Sequence, residues 1–230
     1  MSSIILNWLS PLSIKILFML AALLPVINPP GLAPVFLSIT KKNTPEQRGY
    51  LARRIAIYSF ALLIGSLFFG GYVLSIFGID MSVVRVSGGL LISITAWRLL
   101  NEAQSDHATD TNETHQEMNK ELLKQRAFYP LTFPFTVGPG AISIAITLGA
   151  STEITGQSSA VMWSINALAA GIASVLASLM VYLCYLYADR LLTYLGKTGT
   201  MVFTRLTAFI LLCVGIQVLW TGIRELIKTL

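Results

Sequence analysis

Ile16 to Thr40 is a run of 25 residues without a charge, and its centre reads Val26-Ile27-Asn28-Pro29-Pro30-Gly31. Such a run can cross a bilayer as a helix, which takes roughly 20 residues at about 1.5 Å each. Its middle nevertheless holds the residues that a helix tolerates least. Pro29 and Pro30 have no N–H to donate, each disfavours the α conformation in the residue before it, and Gly31 adds backbone freedom at the same point. Non-helical chain at membrane depth survives only when it is buried in protein or lines a watery cavity. This stretch therefore belongs to the inside of a helix bundle.

Long uncharged runs recur along the chain and define its class. Hydrophobic residues make up 54% and charged residues 12% of the 230 positions, against roughly 25% charged in an ordinary soluble domain. Mean hydropathy is +0.70. The pattern predicts an all-α membrane protein, a single transmembrane domain over 1–230 with spans near 12–40, 54–77, 81–100, 127–152, 159–188 and 203–223. The third is bracketed by Arg85 and Arg98, which must snorkel to an interface if it is to span. The first apolar run has no basic flank before it and reads as a retained span, not a cleaved signal. Trp8, Trp97, Trp163 and Trp220 lie close to predicted span ends, as interfacial anchors do.

The formal charge of +5 reports orientation before it reports a partner. Of the 16 lysines and arginines, all but Lys15, Arg85, Arg224 and Lys228 flank the 1–2, 3–4 and 5–6 connections. That imbalance places both termini outside and the basic connections in the cytoplasm. No basic-aromatic patch or nucleic-acid motif occurs, so nucleic acid is not an expected partner; the lipid bilayer is. Cys184 and Cys213 lie in apolar runs, and His107 and His115 lie in a polar loop, without metal-ligand spacing. No nucleophile–base pair or paired carboxylate falls at membrane depth, so the chain does not read as an enzyme.

The interrupted first span has a counterpart. In the fourth span, Tyr129-Pro130-Leu131-Thr132-Phe133-Pro134-Phe135-Thr136-Val137-Gly138-Pro139-Gly140 aligns with the first at a constant offset of 109. Pro25 then matches Pro134, Pro30 matches Pro139, and Gly31 matches Gly140. With one small gap, Arg85 also aligns with Arg205. The chain thus divides into one repeat over about 12–100, a polar linker over 101–126, and a second repeat over about 127–224. Three spans per repeat put the second copy upside down, giving six transmembrane helices as a 3+3 inverted repeat with discontinuous first and fourth helices. Paired interrupted helices of this kind are the sequence pointer to a transporter's central site.

At such a break one half-helix ends in free carbonyls and the next begins with free N–H groups. The first suits a cation or ammonium and the second a carboxylate, so a small zwitterion fits both. The expected binding residues are Asn28, Gly31, Thr136, Gly138, Gly140 and Ser143, with Pro29, Pro30 and Pro139 shaping the breaks. Asp80, Arg85 and Arg205 are candidate ion or charge-pair residues near the span ends. No acidic residue falls in the middle of a span. Coupling therefore stays open among sodium held by carbonyls with Asn28, Thr132, Thr136 or Ser143, protons through Asp80 or Asp189, and no coupling. No cofactor is expected. Gly88, Gly89, Ala169, Ala170 and Gly171 permit close helix approach, within the bundle or between copies in a homo-oligomer.

These residues resemble the MarC family of integral membrane proteins. The marks are Asn28-Pro29-Pro30-Gly31, Pro134 to Gly140, Arg85-Val86-Ser87-Gly88-Gly89, and Arg205 to Leu211. The resemblance covers essentially the whole chain. It implies a bacterial inner-membrane protein with six spans and periplasmic termini, similar to the lysine exporter group. It also implies a secondary transporter or exporter of small neutral amino acids. The competing expectation is a membrane interaction or stress-response protein without transport, acting through the polar loop around 105–118.

Overall fold

The computed structural model describes residues 2–101, 120–153 and 160–229, and all regular structure there is helical. The order is α1 (Ser2–Ile27), α2 (Pro29–Ile39), α3 (Pro45–Ile76), α4 (Met81–Asn101), α5 (Lys120–Arg126), a π-helical segment (Ala127–Thr136), α6 (Pro139–Glu153), α7 (Ala160–Leu186) and α8 (Ala188–Thr229). Most of the expected polar linker, at 102–119, lies outside the described residues.

Among the described residues, five stretches are long and apolar enough to cross a membrane: Leu12–Ile39, Pro45–Ile76, Met81–Asn101, Trp163–Leu186 and Thr198–Lys228. A sixth arises if Glu121–Thr136 and Pro139–Ala150, bent by 70° at their junction, count as one broken span. The chain is an all-α membrane protein with five candidate spans, or six if the bent pair is one, in the predicted order.

Boundaries differ where polar residues extend a helix. The second span starts nearer Pro45 than 54 because Thr44 and Gln47 form a reciprocal capping box, satisfying two N–H groups that would otherwise lack partners. The last span runs past 223 because Glu225 meets Arg85 across the bundle. In α8, Gly196 alone leaves helical geometry, at φ 65 and ψ 178, and sets a short first piece apart from the span. Arg98 falls in the last turn of α4, where the helix dipole favours a cation.

Packing rests on small residues, because lipid-solvated helices gain little from burying apolar surface and associate through close contact. α4 lies along α8, and a Cβ on Gly89 would come within 2.4 Å of the Leu219 nitrogen. α3 lies against α6, where a Cβ on Gly149 would stand 1.9 Å from the Leu67 carbonyl oxygen. α7 turns Ala169, Ala170, Ala173 and Ala177 inward and packs on α1, α2 and α3. The outer surface stays apolar, with Phe18, Phe69, Leu168, Val175 and Phe209 exposed. At one end Arg48 and Asp189 pair at 2.9 Å, and at the other Lys15 donates to Asn166.

These contacts rank the glycines. Gly149→Ala should destabilise the fold by about 1–3 kcal/mol, because the bundle must open to admit the methyl. Gly171→Ala, with nothing within 4 Å of the added carbon, should leave stability unchanged or slightly raised. Thermal unfolding of the two variants in detergent micelles measures the difference.

Candidate functional site

The first break is one residue deep. Asn28 adopts φ 45 and ψ 54, the only non-glycine with positive φ among the described residues. Asparagine occupies that region more readily than most side chains. Its N–H donates to the Leu24 carbonyl at 2.8 Å, and its carbonyl accepts from Leu32 N at 3.1 Å. Its side-chain oxygen accepts from Gly31 N at 3.2 Å. Pro29 and Pro30 have no N–H, so the Pro25 and Val26 carbonyls lose their helical donors, and the Gly31 N–H turns from Ile27 to the Asn28 amide. A Cβ at Gly31 would stand 2.3 Å from Asn28 Nδ2, so the cap requires glycine there. The chain passes through without a large bend, and the first helix is less divided than its sequence predicts.

The second break is wide. Tyr129 and Phe133 leave helical geometry for extended values, as residues before proline tend to, and both following X-Pro bonds are cis. Buried hydroxyls repair part of the ladder: Thr132 Oγ1 donates to Ala127 O at 2.6 Å and Thr136 Oγ1 to Leu131 O at 2.7 Å. After the 70° bend, α6 starts at Pro139 and its first main-chain bond runs from Ile142 N to Gly138 O at 3.1 Å. The Gly140 and Ala141 N–H groups therefore occupy the positive end of α6.

The expected residues fall into four places. Asn28 and Gly31 contact each other in the first break. Gly140 packs on Ile92, and Ser143 Oγ donates to Val84 O at 2.8 Å, so both lie against α4. Gly138 sits at the turn, where a Cβ would meet Pro134 O at 2.8 Å. Thr136 faces α7, with its hydroxyl 2.9 Å from Tyr185 Oη. The same tyrosine ring stacks on Phe36 of α2, with centroids 4.5 Å apart and planes 8° from parallel. Tyr185 thus joins the two broken spans. Neither it nor Phe36 was expected; the available signal is a tyrosine inside an apolar run, whose hydroxyl needs a partner when buried.

The charge-pair candidates separate. Arg85 pairs with Glu225 on α8, while Asp80 is exposed and caps α4 through its main-chain carbonyl, which accepts from Val83 N and Val84 N. Arg205 is exposed on α8 and does not share the environment of Arg85. A cavity of about 30 Å³ touches Met19, Leu67 and Asn166, and an outward-facing groove of about 550 Å³ runs along α7 between Trp163 and Leu176. Neither is lined by a residue of the two breaks.

The Asn28 geometry can be dissected by substitution. Asn28→Ala should cost about 2 kcal/mol, losing the cap and straining a left-handed residue. Asn28→Gly keeps the backbone and should cost only a few tenths of that. Unfolding midpoints of the two variants in micelles separate backbone from side-chain contributions.

A family model described as MarC family integral membrane protein matches residues 14–227. Membrane protein YvbG of Bacillus subtilis (strain 168) is 32% identical over 209 residues, covering 91% of this chain and 94% of its own length. Inner membrane protein MarC of Salmonella typhimurium (strain LT2) is 28% identical over 211 residues, with 91% and 94% covered. No solved structure matches. Since the family model spans 14–227 of the 230 residues, the chain belongs to the MarC family of integral membrane proteins.

Proposed function

We propose that the protein is a multi-pass carrier of the bacterial inner membrane that moves small neutral solutes, small neutral amino acids foremost, by alternating access. One observation carries this reading: the main helix contacts correspond when spans one, two and three are exchanged with four, five and six. α1 packs on α7 as the π-helical segment packs on α3, and α2 packs on α7 and α8 as α6 packs on α3 and α4. The α3–α7 and α4–α8 pairs map onto themselves. This supports a 3+3 inverted repeat, the architecture in which a central site is exposed alternately to the two sides. The Arg48–Asp189 pair brings the 1–2 and 5–6 connections to one end, in line with basic connections in the cytoplasm and both termini in the periplasm.

The chemistry at the breaks fits a zwitterion. Carbonyls of Pro25, Val26 and Ile27 offer a negative end, and the Gly140 and Ala141 N–H groups a positive one. Asn28, Thr136 and Ser143 supply neutral polar atoms that match a solute without net charge. Prolines 29, 30 and 139 shape the backbone and contribute no donors. No catalytic role is assigned to any residue.

Counterflow in proteoliposomes tests the proposal directly. Labelled glycine, alanine, serine or threonine should exchange against internal unlabelled solute. Gly31→Val and Gly140→Val should abolish exchange, Asn28→Gly should reduce it at least tenfold while the protein stays folded, and Gly171→Val should leave it intact. Folded, inserted wild-type protein that exchanges none of these solutes overturns the amino acid assignment.

A further inference from the structure

Lys15 is a cation at the edge of a membrane span, with no carboxylate on its own helix or on the helix it touches. Neither α1 nor α7 contains Asp or Glu. A lysine so placed ordinarily extends its ammonium to water. Lys15 instead reaches across to α7 and donates to Oδ1 of Asn166, a side chain that is 8% exposed. An ammonium is a donor only, so it fixes the amide: the oxygen faces Lys15 and the NH2 group faces away. That NH2 group has no protein partner among the described residues.

Asn166 also lines the cavity of about 30 Å³, together with Met19 of α1, Leu67 and Phe68 of α3, Gly149 of α6 and Ala170 of α7. Four helices meet there, two from each half of the chain, and the side chains that they add to Asn166 are apolar. A single water needs roughly 10–15 Å³ of such space, so the cavity admits a group of two or three heavy atoms. Lys15 holds one end of a carboxamide that lines this space. Ammonium and NH2 therefore lie one amide group apart, near enough to take the two oxygens of one carboxylate. Met19 stands nine positions before Asn28, about 13 Å along α1, and no residue of either break lines the cavity.

We propose that Lys15 and Asn166 form a binding site for the carboxylate of a small organic acid or amino acid, at the end of the bundle away from the Arg48–Asp189 pair. Both groups offer only donors to the cavity, and a carboxylate offers only acceptors. The single ammonium matches a single negative charge. A divalent oxyanion would keep one charge uncompensated and turn its remaining oxygens toward Met19, Leu67 and Phe68, at the cost of unpaired acceptors. A carboxylate turns its carbon to those walls instead. The site stands apart from the carrier reading, since binding a carboxylate needs no flux.

Unfolding of the full chain in uncharged detergent micelles, at constant ionic strength, tests the site with sodium acetate, chloride and sulfate. The midpoint should rise saturably with acetate relative to the other two. Lys15→Gln keeps a donor for Asn166 without the charge, and should raise the half-saturating acetate concentration by about tenfold or more. Lys15→Arg keeps the charge and should retain the rise. Ala170→Val narrows the cavity from α7 and should lose the acetate-specific rise with Lys15 intact, whereas Gly171→Ala should keep it. Equal wild-type midpoints in the three salts, a chloride or sulfate rise that matches acetate, or an undiminished acetate rise in Lys15→Gln or Ala170→Val overturn the site. A rise without counterflow refutes the carrier alone, and counterflow without a rise refutes the carboxylate site alone.

Discussion

Main-chain hydrogen bonding in hydrocarbon is the constraint on which the rest of this structure depends. A helix satisfies it without help, and the two proline-rich segments abandon it. Each is repaired with different chemistry. At Asn28 an amide takes up the Gly31 N–H within a single left-handed residue. In the π-helical segment Thr132 and Thr136 hydroxyls take up carbonyls five residues back. The economical repair keeps the first span nearly straight, and the extended one comes with a 70° bend. Two segments that align by sequence thus end in unlike geometries.

The bundle must then bring the repaired segments close enough to exclude lipid. Glycine and alanine do this along α4–α8, α3–α6 and the inner face of α7. Close approach leaves little room for long polar side chains, so the buried polar groups are mostly short, serine and threonine hydroxyls and asparagine amides, with the longer Tyr185 phenol among them. Charge is confined to the ends, where Arg48 meets Asp189 and Arg85 meets Glu225.

Local patterns were legible in the sequence. Uncharged runs gave the spans, Pro29-Pro30-Gly31 and Gly138-Pro139-Gly140 gave the breaks, and the Thr44-x-x-Gln47 cap was there to be read although the expected span began later. What escaped depends on partners far apart in sequence. Arg85 turns to Glu225 and not to nearby Asp80 because α4 and α8 lie side by side. Tyr185 gains its role only when α7 meets both α2 and the π-helical segment. Lys15 reads as one of the charges that set orientation until Asn166 on α7 is found beside it. The size of each break was also hidden, since proline and glycine mark where a helix can fail without saying how far it will open.

The Tyr185 ring has a mechanical consequence. Its face lies flat on Phe36, and stacked rings glide past each other at small cost because dispersion changes slowly with lateral offset. Its hydroxyl, 2.9 Å from Thr136, tolerates far less displacement, since a hydrogen bond weakens steeply once its alignment is lost. One side chain therefore acts as a slider toward α2 and as a pin toward the π-helical segment. Shear between the two broken spans meets low friction at the aromatic face and a stop at the phenol oxygen, so the bundle has a direction in which it yields and one in which it locks.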